Sequence, residues 1–349
     1  MNTQSRTTGK RKAQSRLKQA VFTTAAALLV ASPVAAQEIS LRVADSFAEH
    51  HYVSKELIVP WMARVEELTE GKVEFEYFPG EALAKSKDLL DAAKNRVADI
   101  TYVAPLYISD RLPLSSIVAL PGVSGNATEK SAAYQRLVDE HLAEIEFGRE
   151  GVVPLIAVTV AGYEFNLDGP PLETAEDLMG KKMRSSGGLQ EQTVEALGGV
   201  AVQIPAPEVY TALQRGTVDG TITPLASVQP YGFDEVLKSI SINADLGTFP
   251  ITYAMNEAAW GELPDDVKEA FHTASQEVNQ SFGEYVDSNT ETAETELREK
   301  GLTLYELPDN VLSEFREKTA PIARQWADRL EDRGYPADQV LEAWSDYLN

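Results

Sequence analysis

Arg184 stands in a run, Gly180-Lys181-Lys182-Met183-Arg184-Ser185-Ser186-Gly187-Gly188, whose residue types could receive an acid. Read as a short strand over Lys181 to Arg184, the run puts Lys182 and Arg184 on one face and Met183 on the other, because side chains alternate across a strand. Gly187 and Gly188 let another molecule approach the backbone, having no Cβ to hold it off. The helix expected from Leu189 presents free N–H groups at its start. A guanidinium beside such a terminus suits a carboxylate, since Arg is a rigid, two-pronged donor. Two readings stand at this point: a receptor for a ligand's acid group, or a structural Arg paired with one of the chain's many carboxylates.

Catalytic and metal patterns are thin. The four histidines are His50, His51, His141 and His272, and none forms the His-Glu-x-x-His pair of a zinc site. No nucleophile elbow, P-loop or dinucleotide-binding glycine fingerprint occurs. Adjacent His50 and His51 do not set a chelating geometry, and His141 and His272 read as helix residues. With no cysteine there is no disulfide, iron–sulfur cluster, thiolate zinc site or lipid-bearing thiol. No cofactor is expected. A secreted hydrolase with a hidden acid pair, or a ligand sensor feeding a signalling protein, are the competing classes.

The elements that must position Arg184 alternate β-like and helix-like runs, which predicts an α/β fold. Strands are expected at Ile39–Ala44, Val73–Tyr77, Ile100–Val103 and Val153–Thr159. Helices are expected over Val53–Leu68, Ser86–Asn95 and within Ala127–Phe147. A second βα series follows: Lys181–Arg184, a helix from Leu189 to Leu197, Ala201–Ile204, a helix around Glu208–Gln214, then Val218–Thr223. Strands around Ile240–Ala244 and Ile251–Met255 lead back toward the first one. Asp265 to about Lys300 reads as one helix with Val267, Phe271, Ala274, Val278, Phe282 and Val286 along a stripe. At 1.5 Å per residue its length of about 54 Å exceeds a small domain, so it is expected to bridge two lobes. Trp326 and Trp344 are expected core anchors.

The first 36 residues read as an export signal: six cations and no anion, an apolar stretch from Ala20 to Val30, then Ser32-Pro33-Val34-Ala35-Ala36. Cleavage is expected after Ala36, delivering the chain to the periplasm. Removing this segment takes away six of the 31 cations and none of the 54 anions, so the mature net charge falls from −23 to −29. Such acidity argues against nucleic acid as a partner, since phosphate binding needs a basic surface. The apolar stretch is too short to span a bilayer.

Ala175-Glu176-Asp177-Leu178-Met179-Gly180-Lys181-Lys182-Met183-Arg184 resembles the "DLkGlKiR" signature of TRAP transporter substrate-binding proteins, the DctP family. Leu197-Gly198-Gly199, Val202-Gln203-Ile204-Pro205 and the run from Glu208 to Gly220 match further pieces in order. Glu67 to Val73, Tyr77-Phe78-Pro79-Gly80, Pro121-Gly122 and Trp260-Gly261-Glu262-Leu263-Pro264 also fit. The resemblance covers essentially the whole mature chain.

It implies a two-lobed periplasmic-binding-protein fold, a Venus flytrap closing on a small organic acid, and a receptor rather than an enzyme. Residues 37–161 plus about 250–285 would form lobe I, and 162–249 plus about 286–349 lobe II, with the long helix shared. The implied partner is a two-part TRAP-type membrane permease. Arg184 would take the ligand carboxylate. Thr223 stands where the family often has Asn. Glu164 stands where many members carry a second cation, and its carboxylate, facing the cleft, would repel a dianion; the expected ligand is a monocarboxylate bearing an amine or hydroxyl. Ser46 and Phe47, at the end of the first strand, Asn166, and Gly187 are further candidates. Tyr231 and Phe249 could wall the site, as could Tyr102 and Tyr210. Lys87 reads as solvated, and Asp219 and Gly220 as turn residues.

Overall fold

The computed structural model describes residues 39–348; the expected export signal and its cleavage point lie outside the described residues. Two sheets organise the chain. The first has the order β2-β1-β3-β10-β4, built from β1 (Ile39–Ala44), β2 (Val73–Phe78), β3 (Ile100–Val103), β4 (Val152–Thr159) and β10 (Pro250–Asn256). The second has the order β11-β9-β5-β8-β6-β7. Its strands are β5 (Glu164–Leu167), β6 (Lys182–Ser185), β7 (Val200–Gln203), β8 (Gly220–Thr223), β9 (Ser239–Ser241) and β11 (Thr303–Tyr305). Within each sheet one strand runs against its neighbours: β10 against β3 and β4, and β5 against β8 and β9.

Those two strands follow the first two places where the chain changes sheet. It crosses between Thr159 and Glu164, returns between Ser241 and Pro250, and crosses again between Asn256 and Thr303. The first two crossings are bonded to each other: Tyr163 N–H donates to the Gly247 carbonyl at 2.9 Å, and Leu246 N–H to the Tyr163 carbonyl at 3.0 Å. Gly247 has φ +86, and a Cβ there would meet the Ala119 carbonyl oxygen at 2.4 Å, so only glycine fits this turn.

The helix Asp265–Glu299 ties both sheets together. Its expected stripe is buried throughout, from Val267 and Phe271 to Phe282 and Val286. Near its middle, Ser275 accepts from the Trp61 indole at 3.0 Å, and the Asp287 carboxylate caps the helix Ala127–Leu137 through Ala127 and Thr128 N–H groups. Farther on, Ala293 and Leu297 enter a separate apolar cluster with Val209, Leu225 and Ile240 beside the second sheet. Among the described residues no helix is long and apolar enough to cross a membrane.

Most expected elements appear within a few residues of their forecast ends. Two strands have no counterpart in the sequence reading. β5 is four residues long and buried along its whole length, so it carries no alternation to detect. β11 is a three-residue edge after the long helix. The strand expected at Ile240–Ala244 stops at Ser241, because Asn243 and Ala244 turn into the returning crossover: the Asn243 side chain bonds both ways with Leu307.

Candidate functional site

β6 sits between β7 and β8, with Arg184 opposite Val202 and Thr221. Met183 lies in the core on the other face, as alternation requires. Arg184 is only 1% exposed, an unusual position for a residue that is always charged. Its Nε donates to the Ile204 carbonyl at 2.7 Å, while Nη1 reaches the Ile222 carbonyl and Nη2 the Tyr107 hydroxyl only at 3.4 Å. Guanidinium has five N–H donors, so much of its capacity is unused. No carboxylate pairs with it among the described residues. A buried, uncompensated charge is costly, which removes the structural ion-pair reading of Arg184.

The guanidinium lines a narrow cavity between the two sheets. From the first side come Phe47 in the loop after β1, Tyr52, Tyr102 on β3, Tyr107, Phe249 at the return crossing and Ile251 on β10. From the second come Thr223 at the end of β8, Ala206, Ser227 and Tyr231, with Val160 and Tyr163 on the outgoing crossing. The rings touch in series: Phe47 and Tyr102 centroids are 4.8 Å apart, Tyr107 and Phe249 5.3 Å, Tyr163 and Phe249 6.5 Å in a stack. Burial pushes the Tyr102, Tyr163 and Tyr231 phenols well above their ordinary value; nearby Arg184 pulls Tyr163 and Tyr231 the other way. All three therefore stay neutral O–H groups near pH 7. Tyr107 fixes the corner by accepting from Ala206 N–H at 3.0 Å as well as from Arg184.

Cross-contacts close the cavity. The Tyr52 hydroxyl lies 3.3 Å from Ser227 Oγ, and His50 Nε2 3.3 Å from the Pro230 carbonyl. Gln203 Nε2 donates to the Leu106 carbonyl at 3.3 Å. Behind the wall Asp45, pushed up to about 6 by burial, accepts from Tyr253, Tyr77 and Phe47 N–H and so holds the Phe47 loop.

Of the residues singled out in the sequence, Arg184, Thr223, Phe47, Tyr231, Phe249 and Tyr102 line this cavity. Four do not. Glu164 turns its carboxylate to the Ser241 hydroxyl and the Ala244 N–H (2.9 Å), and borders a different cleft with Asp245 and Lys130. The repulsion of a dianion forecast from Glu164 therefore has no basis in this geometry. Asn166 donates to the Glu164 and Thr223 carbonyls at 2.7 and 2.9 Å, inside the sheet. Ser46 is buried beside Asp45. Gly187, φ +101, makes room for the protein itself: a Cβ there would lie 2.7 Å from the Leu106 carbonyl oxygen. Just before the next helix, the Gln190 side chain accepts from the Ser186 N–H. Lys87 is exposed, and Tyr210 bonds Glu235 at 2.8 Å.

Tyr52, Tyr107, Tyr163 and Ser227 went unnoticed in the sequence. Their signal is positional: each follows or precedes a strand end at the sheet-to-sheet seam, where open α/β sheets present ligand contacts. Among the described residues no cluster of His, Asp and Glu could hold a metal.

Two sheets joined by paired crossings, with a buried cation in the gap, define a solute-binding receptor. The family model "Bacterial extracellular solute-binding protein, family 7" (DctP) matches residues 43–329, and the chain belongs to that family, the substrate-binding proteins of TRAP transporters. Over 328 residues it is 26% identical to "Outer membrane transporter protein TsaT" of Comamonas testosteroni, covering 91% of this chain and 94% of the relative. A TRAP solute binding protein from Rhodoferax ferrireducens T118, in complex with copurified benzoate, superposes with TM-score 0.82 at 25% identity, covering 89% and 97%. A marine-metagenome TRAP solute binding protein in complex with 3-hydroxybenzoate gives 0.83 at 22% identity, covering 89% and 98%, and shows the shared fold.

Proposed function

We propose that the chain captures a small aromatic monocarboxylate outside the cytoplasm and hands it to a TRAP-type membrane permease. One observation carries the ligand class: Arg184 is the sole cation lining a cavity that includes seven aromatic rings and no carboxylate. One buried guanidinium neutralises one acid group, and a second ligand carboxylate would enter unpaired at a cost of several kcal/mol. The benzoate of the Rhodoferax relative supports the same class. With Glu164 outside the cavity, the ground for an amine on the ligand is gone.

Capture proceeds by population shift. The free protein opens about the crossings, and a ligand that touches Arg184 on one side and the Phe47–Tyr102 wall on the other favours the closed form. The two sheets with their helices act as lobes I and II, and residues 1–36 as the export signal cut after Ala36. The chain is a receptor, not an enzyme; turnover in a substrate screen would restore the hydrolase reading. Calorimetric titration of the mature chain with benzoate, mandelate, succinate and glutamate tests the ligand class. Benzoate or mandelate should bind at least tenfold tighter than either dicarboxylate, and succinate as the tightest of the panel would overturn the assignment.

A further inference from the structure

The helical turn Pro105–Ile108, which follows β3 on the first side, meets the second side through Tyr107. Four bonds cross the seam to this turn, and all four are donated from the second side. Gln203 Nε2 donates to the Leu106 and Tyr107 carbonyls at 3.3 and 3.4 Å. The Tyr107 hydroxyl accepts from the Ala206 N–H at 3.0 Å and from Arg184 Nη2 at 3.4 Å. A phenol oxygen accepts through its lone pairs and donates through a single O–H. With two N–H groups aimed at that oxygen, the Tyr107 proton points elsewhere, and among the described residues no acceptor answers it. Tyr107 is only 7% exposed and lines the cavity beside Arg184. A buried donor without an acceptor is destabilising, and an acceptor brought by a ligand recovers the bond. The 3.4 Å between Nη2 and the hydroxyl oxygen sets the geometry. A third oxygen about 2.8 Å from Nη2 can lie about 2.7 Å from the phenol oxygen at the same time, both ordinary lengths for charge-assisted bonds.

We propose that the Tyr107 O–H donates to the carboxylate oxygen held by Arg184 Nη2, so that the ligand's acid group is bonded from both sides of the seam. This rests on the reading of Arg184 as the carboxylate receptor and is independent of the ligand's ring. In the open form the acid meets Arg184 alone; closure brings the Pro105–Ile108 turn over it and adds the phenol. A ligand shifts a population only by as much as its contacts differ between the two forms, and this bond exists in one of them. The pair also suits a full carboxylate, which offers only acceptors to a guanidinium and a phenol that both donate.

The test is titration of the mature chain and of Tyr107→Phe, which keeps the ring against Phe249, with benzoate, mandelate and succinate. The variant should keep the parent's far-ultraviolet dichroism and bind at least tenfold more weakly every acid that Arg184→Ala weakens. Affinity would also fall if the phenol only latched the two sides through Ala206 and Arg184, so two further readouts separate the roles. The infrared carboxylate band of a bound, carboxyl-¹³C-labelled acid should shift between the parent and Tyr107→Phe; a latch leaves it in place. Replacing Tyr107 by 3-fluorotyrosine, with titration at pH 6, makes the phenol a stronger donor and a weaker acceptor. Binding should then tighten, whereas a latch that only accepts would loosen. A change under twofold in Tyr107→Phe, an unmoved band, or weaker binding by the fluorinated protein would overturn the inference. Succinate as the tightest acid, lost in Tyr107→Phe as in Arg184→Ala, would overturn the aromatic class and leave this inference standing. If Arg184→Ala weakens no acid, the carboxylate receptor falls and takes the inference with it.

Discussion

Arg184 and Glu164 are both charged residues buried in the second sheet, on β6 and β5, and each lies close to the seam between the sheets. Their surroundings differ in one respect. Glu164 has its carboxylate answered from within the protein by the Ser241 hydroxyl and the Ala244 backbone, and it clamps the returning crossing to the outgoing one. Arg184 has one short bond, to Ile204, and two at 3.4 Å, and it opens onto a cavity. Burial makes both expensive. A charge whose hydrogen-bond capacity is filled locally is spent on the fold; one with donors left over beside a cavity is the one we propose for the ligand. The difference is invisible to residue type and belongs entirely to the partners.

Replacing Arg184 breaks the comparison on its ligand side and should have the largest effect. Removing one partner of a buried, hydrogen-bonded charge pair costs about 2–5 kcal/mol, roughly 30-fold or more in Kd. Arg184→Ala should therefore weaken aromatic-acid binding at least tenfold in calorimetry while the far-ultraviolet dichroism stays native. A loss under threefold would refute the receptor role. Next in size is Phe249→Ala. Phe249 joins the Tyr107 and Tyr163 rings, and deleting a buried aromatic side chain removes a few kcal/mol of contact, part of it recovered by relaxation. Binding of benzoate should fall about tenfold, and acetate, which has no ring to lose, should be unaffected. An equal loss for both acids would mean that Phe249 shapes the fold rather than the ring subsite.

Much of this arrangement was legible in the chain. Alternation placed Met183 inward and Arg184 on the other face, and the apolar stripe of the long helix gave its length and its bridging role. What failed was reasoning by sequence offset. Counting back from Arg184 led to Glu164 as a ligand contact, but strand β5 has its own register against β8 and β9, and that register aims the side chain at Ser241. The glycines misled for a related reason. Gly187 does admit a close neighbour, and that neighbour is the Leu106 carbonyl from elsewhere in the chain. Tyr52, Tyr107 and Tyr163 meet only because three distant segments converge, and a local pattern cannot report a convergence.

Glu164→Gln probes the other side of the comparison and should have the smallest effect on ligand. Affinity for the aromatic acid should stay within threefold, because the carboxylate does not line the cavity. Stability should respond instead. Burial pushes the Glu164 carboxyl from 4.5 up to about 7, against the Ser241 and Ala244 bonds that pull it down. Between those values the folded chain keeps a proton that the unfolded chain has released. The group's contribution is thus complete below pH 4.5 and is lost as pH rises to 7, about 3 kcal/mol in total. Gln cannot ionise, so the variant should lose less of its Tm between pH 5 and 8 than the parent. Asp45 and Glu146, raised to about 6 and about 7 mainly by burial, slope the same way in both proteins and leave a residual decline. The sign matters: a carboxylate ion-paired in the fold would make stability rise only below about pH 4.5 and leave it level over this range. Parallel Tm profiles, or a more than tenfold change in ligand affinity, would put Glu164 back among the ligand contacts and erase the distinction between the two charges.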